Sequence, residues 1–149
     1  MREAIALAIE NVRKGGGPFA AVIVKDGEVI GRGANRVTAS NDPTAHAEIE
    51  AIRAACRAAG DFHLTGCELY TSSEPCPMCL GAIYWARLDR YYYGSTRWEA
   101  AGIGFDDSQI YDEIGKLPEA RSISAARLLE EEAAAAFAEW MRSANRVPY

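Results

Sequence analysis

The chain has 149 residues and a net charge of −5; 49% of its residues are hydrophobic and 25% are charged. This composition is typical of a globular protein and argues against a disordered chain. Its basic residues are scattered rather than clustered, which argues against a protein that holds extended nucleic acid. No apolar run approaches the roughly 20 residues that cross a bilayer, and the N-terminal stretch lacks the apolar core of a signal peptide, so we expect a cytoplasmic protein without a membrane span.

Apolar periodicity predicts the elements of the N-terminal half. Helical spacing of apolar residues predicts an amphipathic helix over residues 2–14, which ends at three consecutive glycines. An Asp-Gly pair at 26–27 lies between two apolar runs and predicts a β-hairpin. Pro43 marks the start of a second helix, which continues to Gly60.

The C-terminal half is predicted to alternate strands and helices less regularly. The predicted elements are a buried strand over 67–72, a helix from about 75 to 86, a strand over 88–94, loops with one short helix over 94–120, a strand over 121–128 and a closing helix over 128–144. This order predicts an α/β fold, a three-layer α-β-α sandwich with helices on both faces of a central mixed sheet. We expect residues 1–149 to form a single domain, because no linker or repeat interrupts them.

A Cys-x-x-Cys pair, Cys76 and Cys79, lies at the start of the predicted helix over 75–86. Such a pair can form a disulfide, a thioredoxin-like redox centre, part of a structural zinc site or part of a catalytic metal site. A structural zinc site normally takes four protein ligands, usually as two such pairs. The other cysteines, Cys56 and Cys67, are 11 positions apart and are more simply small buried hydrophobic residues. The pair alone leaves these alternatives open.

His46 supplies a third candidate ligand, and Glu48 follows it two positions later. Three protein ligands with one open position are the pattern of a catalytic zinc site. A helix N-terminus would favour the thiolates of Cys76 and Cys79, and Glu48 would be the carboxylate beside the open position. His-x-Glu followed by Pro-Cys-x-x-Cys is the pattern of the zinc nucleobase deaminases. The sequence therefore predicts a hydrolytic deaminase in which Zn²⁺ activates water and Glu48 transfers protons.

Three stretches resemble the bacterial guanine deaminases of the cytidine-deaminase-like fold, and the resemblance covers nearly the whole chain. They are "SNDPTAHAEIEAIR", "LYTSSEPCPMCLGAIYWAR" and "AGIGFDDSQIYDEI". The resemblance implies a zinc-dependent aminohydrolase that converts the purine base guanine to xanthine and ammonia, with one Zn²⁺ per subunit. It also implies a homodimer in which the C-terminal segment, about residues 120–149, can be exchanged between subunits.

The resemblance implies substrate-binding roles for five further residues. Asn35 would hydrogen-bond the carbonyl or ring edge of the base, and Phe19 and Trp85 would form the walls of its pocket. Asp107 would recognise the polar ring edges of guanine. Tyr149 would fold over the site and close it, and either of these last two could serve a neighbouring subunit. Guanine suits such groups, because its ring N–H groups donate, its carbonyl accepts and its flat ring stacks on aromatic side chains.

Simpler interpretations compete for the same five residues. Asn35 fits a plain turn, and Phe19 and Trp85 fit the hydrophobic core. Asp107 fits a solvated loop or a helix cap. Tyr149 is a terminal residue, and termini normally fray. The resemblance alone favours the functional interpretation of Asp107.

The residues just before the zinc motif carry one departure from the family. Relatives commonly have Cys where this chain has Ser73. Ser73 is not one of the three ligands, so the departure could change loop packing or substrate fit without threatening the zinc site. Glu74, which precedes Pro75, is expected to cap the helix that follows.

Three alternative functions remain open. A close variant would deaminate guanosine, cytosine or ammeline rather than guanine. A tRNA wobble-adenosine deaminase shares the zinc motif, although the negative charge and the absence of a basic cluster count against it. A non-catalytic zinc module would use the metal only to hold a scaffold, and it would be indifferent to the loss of Glu48.

Overall fold

A computed structural model describes all residues from Met1 to Tyr149. The chain forms two compact units, Met1–Asp107 and Ser108–Tyr149. The first unit contains, in chain order, α1 (Arg2–Arg13), β1 (Ala20–Lys25), β2 (Glu28–Ala34), α2 (Val37–Ser40), α3 (Ala47–Ala59), β3 (Cys67–Ser73), α4 (Pro77–Trp85), β4 (Arg90–Ser95) and α5 (Arg97–Gly102). The second contains α6 (Ser108–Ile114), a 3-10 turn (Pro118–Ala120) and α7 (Glu130–Arg142).

Four strands form one mixed sheet in the order β2-β1-β3-β4. The β1–β2 and β1–β3 pairs are antiparallel, whereas β3 and β4 are parallel. The predicted hairpin is confirmed: Asp26 and Gly27 both have positive φ, 51° and 84°, which is the backbone of a two-residue hairpin turn. The mixed sheet places the ends of β2 and β3 beside the helices that follow them.

Helices cover both faces of the sheet, as the sequence predicts. Ala21 and Ile23 of β1 are buried in one cluster with the alanines of α3. Ser72 of β3 points to the opposite face, because alternate strand residues face opposite sides. There it lines an apolar cavity with Ala8 of α1 and other residues of that helix. The first unit is therefore the three-layer arrangement expected for this fold class.

Most predicted elements of the first unit are confirmed, and one helix boundary is wrong. The second predicted helix was expected from Pro43, but α3 begins at Ala47, and the separate four-residue helix α2 precedes the loop before it. The N–H of Thr44 donates to the Asp42 carboxylate, 2.8 Å away, which stabilises a turn before the helix. Pro43 therefore lies in that turn rather than in the first turn of α3.

The second unit contains helices but no strand, so the strand predicted over 121–128 is wrong. Residues 121–129 have bend or irregular backbone, and Ile123 is 84% exposed. A strand needs a partner to satisfy its backbone groups, and Ser108–Tyr149 contains no other strand. The predicted closing helix is confirmed as α7, within two residues at each end.

No helix of the chain combines the length and the apolar composition that crossing a membrane requires.

Candidate metal centre and active site

Two helix N-termini carry the predicted metal ligands. His46 is the N-cap residue of α3, and its φ and ψ of −71° and 156° are extended. Cys76 is the N-cap residue of α4, with Pro77 at the first helical position and Cys79 in the first turn. Because an N-cap residue has extended backbone and a free side chain, it can turn that side chain across the helix start.

The three ligand atoms converge, although His46 and Cys76 are 30 positions apart in the chain. The Sγ atoms of Cys76 and Cys79 each lie 3.5 Å from Nδ1 of His46, and all three atoms lie within 4.8 Å of one another. With usual zinc–sulfur and zinc–nitrogen bond lengths, the sulfur–nitrogen edge of a tetrahedron is about 3.6 Å. The distances and the donor set therefore fit zinc, with one position left for a non-protein ligand.

The two thiols also carry charge in a way that suits a cation. Hydrogen bonds from the Cys79 thiol and His46 lower the pKa of Cys76 to about 4, despite burial. The bond to Cys76 and burial raise the pKa of Cys79. These opposite shifts favour the thiolate at Cys76 over one at Cys79. A divalent cation would stabilise the second thiolate, because a coordinating thiol is deprotonated.

Glu48 is buried beside this cluster in the first turn of α3. Burial raises the pKa of its carboxyl group to about 7. A hydrogen bond involving the Cys79 side chain opposes that shift, which places the carboxyl group next to the predicted ligands. Glu48 is not one of the three clustered ligands, so it has the location expected for a proton carrier beside an open metal position.

Two glycines of β2 bring α3 close to the sheet. A Cβ at Gly33 would lie 2.1 Å from the carbonyl oxygen of Ala47, and one at Gly31 would lie 2.5 Å from that of Ala51. No side chain fits between backbones at these distances, so both positions require glycine. This close approach sets the height of α3 above the sheet and hence the position of His46 at its N-terminus.

Asn35 and Phe19 meet at the open end of the hairpin, because Phe19 precedes β1 and Asn35 follows β2. The N–H of Asn35 donates to the carbonyl of Phe19, 2.9 Å away, and the Asn35 Oδ1 accepts from the N–H of Val37 at 3.3 Å. The ring of Phe19 packs edge-to-face against Phe105, with ring centroids 4.8 Å apart. Asn35 therefore makes a turn hydrogen bond and Phe19 packs against another aromatic ring, as the simpler interpretations expect. The substrate roles of both residues stay predictions.

Asp107 lies within electrostatic reach of the metal cluster. Burial and the negative charge on Cys76 raise the pKa of Asp107, while Arg97 lowers it. Asp107 is half-buried rather than fully solvated. It is therefore near the sulfur ligands, as a substrate-binding acid would need to be, and its role stays a prediction.

The remaining two predicted pocket residues are exposed. Trp85 ends α4 and is 61% exposed, and Tyr149 is 72% exposed. Tyr149 belongs to the second unit, whereas the three metal ligands belong to the first. Their roles as pocket wall and lid stay predictions.

Glu74 does not cap α4, which corrects the sequence interpretation. The N-cap residue of α4 is Cys76, with no side-chain cap hydrogen bond. Instead, Oε2 of Glu74 accepts from the N–H of Arg97 at the start of α5, 3.0 Å away. Ser73 is buried at the end of β3 and pairs with Ser95 of β4. These contacts join the end of β3, just before the candidate ligand Cys76, to the start of α5.

Sequence reasoning missed two residues that shape this site. Phe105 packs on Phe19, and the aromatic residue in "GFDDS" was a signal that could have revealed it. Asn11 bonds to the backbone of Gly17 and Asn35 through its side-chain amide. A single asparagine in a predicted helix carries no signal of such long-range bonds.

Comparison with known proteins links this geometry to a family. Residues 1–95 match the family described as the cytidine and deoxycytidylate deaminase zinc-binding region. The chain is 53% identical to the guanine deaminase of Bacillus subtilis (strain 168), an alignment that covers 100% of this chain and 96% of that protein. The X-ray structure of guanine deaminase from Bacillus subtilis matches with a TM-score of 0.96, over 99% of this chain and 95% of that chain.

A second kind of relative matches over a shorter stretch. A tRNA-specific adenosine deaminase of Agrobacterium fabrum (strain C58 / ATCC 33970) is 54% identical over 78 residues, which cover 52% of this chain and 51% of that protein. The similarity to this relative is therefore confined to about half of each chain.

Proposed function

We propose, since the chain belongs to the cytidine and deoxycytidylate deaminase zinc-binding family, that this protein is a zinc-dependent aminohydrolase. The reaction that we propose converts guanine to xanthine and ammonia. The observation that carries this proposal is the convergence of His46, Cys76 and Cys79 beside the buried carboxyl group of Glu48. Similarity to a guanine deaminase along the full chain favours guanine over the other substrates of the family.

The chemistry divides between the metal and Glu48. When bound by the two thiolates and the imidazole, zinc lowers the pKa of a water molecule towards neutrality. Glu48 would accept the first proton that such a water loses and deliver it to a ring nitrogen; it would then accept the second proton, from the newly added hydroxyl group, and deliver it to the departing amine. The water oxygen bonds to the ring carbon that carries the amino group, the carbon–nitrogen bond breaks, and ammonia leaves. One buried carboxyl group therefore serves both halves of the reaction.

Four residues of the first unit are proposed to bind the base. The Asn35 amide donates to the guanine carbonyl, and the Asp107 carboxylate accepts from ring N–H groups. Phe19 and Trp85 contact the flat faces of the ring. The support for Asp107 is its partial burial within reach of the Cys76 charge. A site with such polar groups rejects analogues that lack the matching donors, because its own groups would be left unpaired.

The protein is further proposed to be a cytoplasmic homodimer in which residues 120–149 can be exchanged between subunits. The support is the exposed apolar side of α7, where Phe137 and Met141 are 76% and 64% exposed. Exposed apolar residues grouped along one helix favour burial against another surface. In such a dimer, Tyr149 closes a site and can belong to the neighbouring subunit. A reducing compartment favours thiolate ligands over a disulfide.

A tRNA adenosine deaminase is the second candidate, because a relative with that activity matches half of the chain. The net charge of −5 disfavours it, since binding to a polynucleotide relies on neutralising phosphates with basic residues. Binding to tRNA that weakens steeply with salt would favour this candidate instead.

Ammonia release from zinc-loaded protein tests the proposal. We expect the highest kcat/KM for guanine in a panel that also contains guanosine, cytosine, ammeline and a tRNA anticodon stem-loop. A higher kcat/KM for guanosine would contradict the assignment to the free base. Conversion of adenosine to inosine in the stem-loop, with no turnover of guanine, would favour the second candidate. Size-exclusion chromatography with light scattering at the same concentration tests the homodimer.

A further inference from the structure

Asn11 bonds two segments of the candidate base pocket through one side-chain amide. Its Nδ2 donates to the carbonyl of Gly17 at 2.8 Å and to the carbonyl of Asn35 at 2.9 Å. The two acceptors lie 6 and 24 positions away in the chain. Both N–H groups of this amide are therefore used on backbone carbonyls, and Asn11 joins α1 to the start of the pocket.

Gly16 and Gly17, which follow α1, pack closely against the side chains of Asn11 and Asn35. Gly16 donates its N–H to the Asn11 carbonyl at 2.9 Å. A Cβ at Gly16 would lie 2.5 Å from Nδ2 of Asn11, so a side chain there would displace the amide. The glycine that follows lies against the pocket, because a Cβ at Gly17 would be 3.3 Å from Cγ and Oδ1 of Asn35.

Asn35 is consequently held on both sides of its backbone. Its N–H donates to the carbonyl of Phe19 at 2.9 Å, and its own carbonyl accepts from Asn11 at 2.9 Å. Loss of the second bond would free the Asn35 carbonyl, while the N–H groups of Asn35 and Arg36 stay bonded to the carbonyls of Phe19 and Ala45 at 2.9 Å each, so the rotation of this peptide would be limited. The side-chain amide of Asn35 follows its backbone, so a small rotation would move it relative to a bound base.

We propose that Asn11 is a positioning residue for purine binding. Asn11 holds the Asn35 side-chain amide in the position from which that amide can donate to the carbonyl of the base. This inference rests on the proposed function, because it assumes that Asn35 contacts the substrate. Asn11 itself acts through Asn35 and Gly17, and it belongs neither to the metal cluster nor to the proton transfer.

Asn11→Asp is the direct test, because aspartate has the same size but no N–H to donate. We expect an increase of about tenfold or more in KM for guanine, with kcat changed less than about threefold. Calorimetry with hypoxanthine adds a readout that needs no turnover, since this purine keeps the carbonyl but lacks the amino group. Its Kd should rise by a similar factor, and the zinc content should stay at one per chain.

Two further variants keep the test decisive if the aspartate variant does not fold. Asn11→Ser avoids the new negative charge of aspartate but shortens the side chain by one bond, so it should also raise the hypoxanthine Kd. Gly17→Ala should raise the same Kd by pressing on the Asn35 side chain while leaving Asn11 intact. Gly102→Ala is the matched control, because a Cβ at Gly102 meets no atom within 4 Å, and it should bind hypoxanthine as the wild type does.

The possible outcomes distinguish a failure of this inference from a failure of the proposed function. A folded, zinc-loaded Asn11→Asp or Asn11→Ser variant with the wild-type hypoxanthine Kd and guanine KM would overturn the role of Asn11 alone. Wild-type protein that neither deaminates guanine nor binds hypoxanthine would overturn the proposed function, and the inference with it. A fall in kcat without a change in Kd would also contradict a positioning role.

Discussion

Gly33 and Ala47 lie so close together that a Cβ on the glycine would be 2.1 Å from the carbonyl oxygen of the alanine. Through this contact α3 packs directly on β2. Ala47 follows the predicted ligand His46 by one residue. The metal centre therefore depends on a position of the sheet that carries no chemically reactive group.

Gly33→Ala should destabilise the fold and loosen the metal site together. The new methyl group would press on the backbone of α3, which cannot move without shifting His46 and Glu48. We expect a loss of about 3 kcal/mol in the free energy of unfolding and weaker zinc retention during dialysis against a chelator. Gly102→Ala serves as the control; equal stability and zinc retention in the two variants would contradict this account of α3.

Glu48→Gln should strongly reduce turnover and retain zinc. Glutamine has nearly the same shape but cannot carry a proton between water, ring and amine, so we expect a decrease in kcat of about 10²- to 10⁴-fold. Metal analysis of the same sample should give the wild-type zinc content, because Glu48 is not among the clustered ligands. A non-catalytic zinc module predicts instead that no property of the protein changes.

Cys76→Ser should remove stoichiometric zinc, since it replaces a thiolate ligand with a poorer hydroxyl ligand. Cys56→Ser is the matched control, because Cys56 lies outside the metal cluster and its Sγ is 3.9 Å from the carbonyl oxygen of Phe62. Atomic absorption after gel filtration measures both. Full zinc content in the Cys76 variant would mean that the metal is held elsewhere.

Asp107→Asn should weaken guanine binding, because an amide replaces the carboxylate that accepts from the ring N–H groups. We expect KM for guanine to rise about tenfold, the effect of losing one hydrogen bond to a charged group. The neighbouring Asp106→Asn removes the same charge one position earlier. If steady-state kinetics show the same increase in both variants, the effect comes from net charge rather than from recognition by Asp107.

Glu113 should remain ionised well below the usual range of a carboxyl group. Hydrogen bonds from Lys116 and from the N–H of Ser122, both 2.6 Å long, lower its pKa to about 2 from an ordinary value of 4.5. The contact therefore stabilises the fold fully above about pH 4.5 and is lost as the pH falls towards 2. NMR titration of the Ser122 amide should show a midpoint near 2; a midpoint near 4.5 would mean that the contact is absent in solution.

The candidate zinc ligands could be predicted from the sequence because each lies in a short, informative pattern. His46 and Glu48 are two positions apart, and Cys76 and Cys79 share one helical turn after a proline. Spacing within a turn dictates which side chains share a helix face. The hairpin was predictable for the same reason, since Asp26 and Gly27 determine their own turn.

The strand expected over 121–128 shows where such patterns fail. Its residues have a composition compatible with a strand, yet Ile123 is exposed and no partner strand is present in that unit. Likewise, Pro43 suits a helix start, but the side chain of Asp42 stabilises a turn there instead. A local preference does not decide the structure when the backbone has a better hydrogen-bond partner, as at Thr44, or when the partner strand is missing, as over 121–128.

The sequence by itself determined the candidate ligand set, the candidate proton carrier and the order of the main elements of the first unit, because these depend on groups a few positions apart. Only the tertiary structure decided that Nδ1 of His46 faces both sulfur atoms, that Gly33 admits the backbone of α3, and that Asn11 reaches the carbonyl of Asn35. These contacts join residues that are distant along the chain, and their distances follow from how the helices pack on the sheet rather than from any local preference.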